Sequence, residues 1–120
     1  MDIATAERAL ARQVARLSGL ELDRTVRRGD GGALPKAAPL VTVRFVSGTT
    51  ADAELAEFAA EVRGSFAEPE EACNFAAAVW GGLPLYGAAG FTELAAEGKI
   101  EFAERDGYFT TAGRIRACFA

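Results

Sequence analysis

The sequence predicts an α+β fold, a small and mostly antiparallel sheet packed against two or three helices as a single pair of layers. Three observations carry this expectation. Apolar residues recur at helical spacing from Ile3 to Leu17 and again from Leu55 to Phe66; a β-branched run, Leu40 to Val46, alternates with period two; and Asp106-Gly107 is a strong hairpin-turn dipeptide set between two alternating segments.

Asp2 can cap a first helix over residues 3–18, with Ile3, Ala6, Leu10, Val14 and Leu17 on one stripe and Gly19 as its stop. Arg8, Arg12 and Arg16 repeat every four residues on another stripe. Such a row is either a solvated helix face or a contact with an acidic partner. Leu20 to Val26 reads as a short strand, followed by a loop from Arg27 to Lys36 with Gly and Pro in it. Arg27 and Arg28, at the start of that loop, join the arginine row as candidate interface residues.

Leu40 to Val46 is the clearest strand, with Val41, Val43 and Phe45 on one face and Thr42 and Arg44 on the other. Ser47-Gly48-Thr49-Thr50 reads as a turn and cap, and a second helix is expected to run to Phe66 on Leu55, Phe58, Ala59, Val62 and Phe66. Glu54, Glu57 and Glu61 fall on its opposite side. They are a solvated stripe or the complement of an arginine row on another copy of the chain. Pro69 with Glu70 and Glu71 opens a third helix, since Pro suits the first helical position and carboxylates suit the positive end of the helix dipole. Its apolar stretch Phe75 to Trp80 is expected to be buried, ending at Gly81-Gly82 and Pro84. A short helix near Phe91 to Glu97, a hairpin around Asp106-Gly107 and a closing strand, 114–119, complete the reading. In that strand Ile115, Ala117 and Phe119 face inward, against Arg114, Arg116 and Cys118.

At 120 residues and 12.6 kDa the chain is expected to form one domain, residues 1–120. Half of it is hydrophobic and a quarter charged, the balance of a globular protein. The longest apolar runs fall well short of the roughly 20 residues that span a bilayer, and nothing at the start marks secretion, so a cytoplasmic origin and no membrane contact are expected. The net charge of −4 argues against direct sequence-specific nucleic-acid binding. Charge is also unevenly distributed: residues 1–36 hold seven basic and five acidic side chains, and residues 37–120 six basic and twelve acidic. A bipolar surface follows.

Histidine is absent, which removes the commonest general base and metal ligand together. Each of the three serines, Ser18, Ser47 and Ser65, would need a lysine base, and Lys36 and Lys99 are the only lysines. Gly29-Asp30-Gly31-Gly32 precedes no expected helix, and Lys36 follows Pro35 with no Ser or Thr after it, so neither phosphate-binding fingerprint is met. Cys73 and Cys118 form no CxxC pair and are expected to be reduced and structural. No catalytic, cofactor-binding or metal-binding residue is expected. The chain reads as a non-enzymatic protein with protein partners, self-association among them.

Leu34-Pro35, the run Val41-Thr42-Val43-Arg44-Phe45-Val46-Ser47-Gly48, the Ala/Glu-rich stretch Ala53 to Phe66, and Asp106-Gly107 with its closing strand make a pattern. Together they resemble the small tail-terminator and tail-completion proteins of long-tailed bacteriophages. The resemblance covers about two-thirds of the chain. It implies a virion protein without enzymatic activity that forms an oligomeric ring at the head–tail junction. A second resemblance competes with it: Phe91 to Glu101 followed by Arg105-Asp106-Gly107-Tyr108 reads like the recognition helix and wing of a winged helix. A major-groove helix needs side chains that reach base edges and phosphates, and Ala88 to Glu97 offers Thr92 and two glutamates. A winged-helix regulator, or a winged helix that binds protein, is therefore the alternative function, and a small acidic inhibitor or immunity protein a third.

Overall fold

The computed structural model describes residues 1–29, 38–50 and 56–120. In chain order the elements are α1 (Ile3–Ser18), β1 (Val26–Arg28), β2 (Leu40–Thr50), β3 (Ala56–Phe66), α2 (Pro69–Tyr86), β4 (Phe91–Arg105) and β5 (Tyr108–Phe119). The strands form one five-stranded sheet in the order β1-β2-β3-β5-β4.

α1 forms as its sequence predicts. The Asp2 side chain accepts a hydrogen bond from the Thr5 N–H at 2.7 Å, and Gly19 closes the helix in the left-handed conformation at φ 73°. Its buried face is Ala6, Leu10, Ala11, Val14 and Ala15. α2 begins at Pro69, also as expected, but runs through Gly81, Gly82 and Pro84 to Tyr86. The proline removes the bond that position 84 would donate to the Trp80 carbonyl, and the helix ends within one turn of it, where the Gly87 N–H closes on the Leu83 carbonyl at 2.8 Å. Gly82 lies against Leu17, so its missing side chain lets α2 approach α1 closely.

The expected fold class needs correction. The sheet is mixed, because β1 runs parallel to β2 with Val26 opposite Val41 and Arg28 opposite Val43, and two helices pack on it. A parallel neighbour needs a connection long enough to return the chain to the same end, and that connection carries no hairpin signal to read from sequence. The expected turn at Ser47-Gly48-Thr49-Thr50 is the end of β2 instead. The helix expected up to Phe66 is strand β3 over its described residues. β3 pairs with β2 on one side and β5 on the other, so Ala56, Phe58, Ala60, Val62 and Gly64 line one face at period two. Central position and pairing on both sides override the helical propensity of Ala and Glu.

The short helix expected at Phe91 to Glu97 is likewise the first half of β4, paired to β5 from Phe91 opposite Phe119 onward. Without a helix there, the winged-helix reading has no recognition element. Asp106 and Gly107 make the expected hairpin turn, both at positive φ, 52° and 83°. β5 forms the expected closing strand, with Ile115, Ala117 and Phe119 buried and Arg114 and Arg116 exposed. Cys118 is buried as well, although it shares the face of the arginines.

Both helices lie on the same face of the sheet. Leu10, Val14, Val79, Trp80 and Leu83 from the helices meet Val41, Val43, Val62, Leu94 and Ile115 from the strands in one core. The Trp80 ring rests on Gly113, where an added Cβ would fall 2.7 Å from the indole. At the end near Ala6, Phe119 stacks with Phe58 at 5.7 Å and Phe45 at 6.0 Å and meets Phe91 edge-on at 5.6 Å.

Phe119→Ala is expected to lower the free energy of unfolding by about 3–5 kcal/mol, read from the denaturant midpoint, because it empties the centre of this ring cluster. Gly113→Ala should destabilise by about 1–3 kcal/mol and shift the emission of Trp80, the chain's one tryptophan. Gly81→Ala, on the exposed side of α2 with nothing within 4 Å of the new methyl, should instead stabilise by up to about 1 kcal/mol.

Candidate functional site

With both helices on one side, the other face of the sheet is covered by no described element and has to be compatible with water. Period two delivers this: Arg44, Glu57, Glu61, Arg63, Arg114 and Arg116 alternate with the core residues of β2, β3 and β5. Strand pairing places carboxylates beside cations, with Glu61 opposite both Arg44 and Arg114, and Glu97 opposite Arg114. Glu61 Oε1 lies 3.3 Å from Arg44 and 3.7 Å from Arg63, and Glu93 lies 2.6 Å from Arg116. The hydrogen bond from Arg116 to Glu93, reinforced by their opposite charges, raises the guanidinium above its ordinary value. On the same face the Cys118 thiol is pushed up, chiefly by burial and further by the carboxylates of Glu57 and Glu93. A thiol held protonated in this way is a poor nucleophile.

Depressions on this face are open. One of about 270 Å³ is lined by Glu61, Lys99, Glu101, Ala112, Gly113 and Arg114, and one of about 370 Å³ by charged side chains with Phe102 among them. Small-molecule sites are usually mostly apolar. Among the described residues no cluster of three or more His, Cys, Asp or Glu side chains is placed to hold a metal ion.

The arginine row lies on the other side of the molecule, along α1 and beside β1. Arg8, Arg12 and Arg16 are exposed and make no ion pair with a described residue. Arg8 and Arg12 line a depression of about 460 Å³ together with Ala11, Leu22, Asp23 and Arg28. Arg27 belongs to β1, is exposed, and donates from Nε to the Arg24 carbonyl at 3.1 Å. Arg28 is engaged: its Nε donates to Glu7 Oε1 at 2.7 Å, while Glu7 Oε2 accepts from the Phe45 N–H at 2.9 Å. That carboxylate ties α1 to β1 and satisfies the amide beside the irregularity between Phe45 and Ser47 in β2.

Of the three acidic residues that the sequence singled out, Glu54 lies outside the described residues, Glu57 is exposed on β3, and Glu61 is occupied by Arg44 and Arg63. Glu57 and Glu61 stand on a strand and not on a helix. The sequence reading missed the acids of β4: Glu93, Glu97, Glu101 and Glu104 are all exposed on a strand at the sheet's edge. Glu93, Glu97 and Glu101 stand four residues apart, a spacing that strand alternation also places on one face. A separate uncharged surface ends α2, where Leu85 is 73% and Tyr86 72% exposed. No described helix is long and apolar enough to cross a membrane.

No family model and no curated protein matches the chain. A solved structure does: a chain in the virion of a native gene transfer agent particle superposes with a TM-score of 0.56. The match covers 98% of this chain and 96% of that one, at 20% sequence identity. The likeness therefore runs end to end and shows the fold.

If the exposed arginines serve a partner and not the fold, R8E/R12E/R16E should keep its thermal midpoint within a few degrees of the parent, because solvated charges contribute little to stability. A large drop in the melting curve would assign the row to folding.

Proposed function

We propose that this chain is a non-enzymatic structural component of a phage-like virion, and more specifically a tail-terminator-like subunit that forms an oligomeric ring at the head–tail junction. The observation that carries the reading is the fold likeness to a chain of a gene transfer agent virion along nearly the whole of both chains. Two features of the surface support it. Its depressions are open and lined by charged side chains, as suits contact with protein more than capture of a small molecule. Arg8, Arg12 and Arg16, without an ion pair to a described residue, and the exposed apolar residues Leu85 and Tyr86 suit protein partners, further copies of the chain among them. Residues 1–120 act as one domain in this reading, no cofactor takes part, and the site of action is the virion. The Ala53 to Phe66 part of the tail-terminator pattern contributes a strand to it and not a helix.

The test is genetic and physical. Removing the chain from cells that make the particles should leave heads and tails that fail to join or tails of uncontrolled length, seen by electron microscopy of the lysate. The purified chain should sediment with intact particles. Unchanged particle yield and morphology after its removal would sink the reading.

A further inference from the structure

The strand order sets two oppositely charged flanks on opposite sides of the molecule. β1, with α1 beside it, forms one edge of the sheet, and β4 the other. Four inter-strand steps separate them, about 19 Å at the usual spacing. This exceeds the Debye length of about 8 Å at physiological ionic strength, so the flanks do not neutralise each other within one chain. Arg8, Arg12 and Arg16 on the first flank lack an ion pair among the described residues, and so do Glu97, Glu101 and Glu104 on the second. Lys99 and Arg105 dilute the charge of β4 without cancelling it.

The edges differ in their backbone too. β1 is three residues long, and its outer side is already closed by bonds from Asp23 N–H to the Val26 carbonyl and from Val26 N–H to the Glu21 carbonyl. β4 is fifteen residues long and pairs only with β5 among the described strands. Its register is broken between Glu97 and Glu101, where Gly98 takes φ 74°. A charged, bulged edge of this kind resists addition of another strand. It presents its carboxylates to a partner's side chains instead.

We propose that copies of this chain associate side by side, the arginine flank of α1 in one copy meeting the glutamate flank of β4 in the next. This rests on the assembly reading above and names its subunit contact. A two-fold contact through either flank would set like charges against each other, arginine row on arginine row or glutamates on glutamates. The contact is therefore head to tail, and a head-to-tail contact leaves one flank of each sign open at the ends until a ring closes.

The experiment uses two charge-reversed full-length chains, R8E/R12E/R16E and E97R/E101R/E104R, each checked for a cooperative melt and for parental Trp80 emission. Light scattering after size exclusion, at physiological salt, reads their mass. The parent should form an oligomer that loosens as salt rises. Each variant alone should associate at least about 100-fold more weakly, since like charges then face each other. Mixed in equal amounts, the two should assemble again, because each supplies the flank that the other needs. Either variant assembling alone as the parent does, or a mixture that stays monomeric, overturns the contact while a ring formed by the parent keeps the assembly reading. A parent that remains monomeric yet sediments with particles overturns the self-contact alone. A parent that does neither overturns both.

Discussion

Trp80 lies on Gly113, and this contact decides how the helical layer meets the sheet. With any side chain at position 113 the indole would have to rise, and α2 with it. Gly64 is used differently: an added Cβ there would fall 2.6 Å from the ring of Phe66 on its own strand and 3.5 Å from that of Phe75 on α2. The indole over Gly113 lets α2 sit close enough to bury Val79, Leu83 and Leu94 together. α1 packs beside it through Leu17 against Gly82. Both helices are then committed to one face, and every strand has to present polar residues on the other.

The polar face accordingly follows from the packed one. Each exposed ion pair on it contributes little by itself, and their shared role is to keep a broad sheet face wetted and unattractive to other strands. Glu7 is different in kind. It is half-buried and bonds both Arg28 and the Phe45 amide, so it holds helix, edge strand and strand irregularity to one another. The two uses of charge separate clearly: Glu7, Arg28 and Glu61 are absorbed by the fold, whereas Arg8, Arg12, Arg16, Glu97, Glu101 and Glu104 are left over.

Local signals made part of this legible. Asp2 and Gly19 bracket α1, Pro69 opens α2, and Asp106-Gly107 fixes the last hairpin, because each acts through its own backbone. β3 was illegible for a specific reason. Phe58, Val62 and Phe66 stand four residues apart, a spacing that serves a helical stripe and a strand face equally, and the alanines and glutamates between them favour the helix. What settles it is β2 and β5 bonding on either side, which no local window contains. The same ambiguity covers the β4 acids, since Glu93 and Glu97 share a face whether Phe91 to Glu97 is a helix or a strand, and only the pairing with β5 puts them on a strand at the sheet's edge. The arginine row was legible because α1 was. The β4 acids are not legible in the same way: the sequence points to Glu54, Glu57 and Glu61 instead, because the position of β4 at the sheet's edge is a property of topology.

Strand order then converts a charge imbalance along the chain into one across the molecule. Basic residues crowd the N-terminal segment, which builds α1 and the edge strand β1. The acidic remainder ends in a hairpin whose second strand, β5, inserts between β3 and β4. Arg116 of β5 is thereby bonded to Glu93, and Arg114 stands at the register of Glu61 and Glu97 without an ion pair to a described residue. Had β4 paired with β3 instead, those arginines would have formed the outer edge and the glutamates would have been interior. Placing β5 inside uses its cations within the sheet and leaves the carboxylates of β4 outermost, opposite the arginines of α1. Topology thereby sets the two kinds of unused charge on different edges of the sheet, and this is the arrangement that the proposed contact uses.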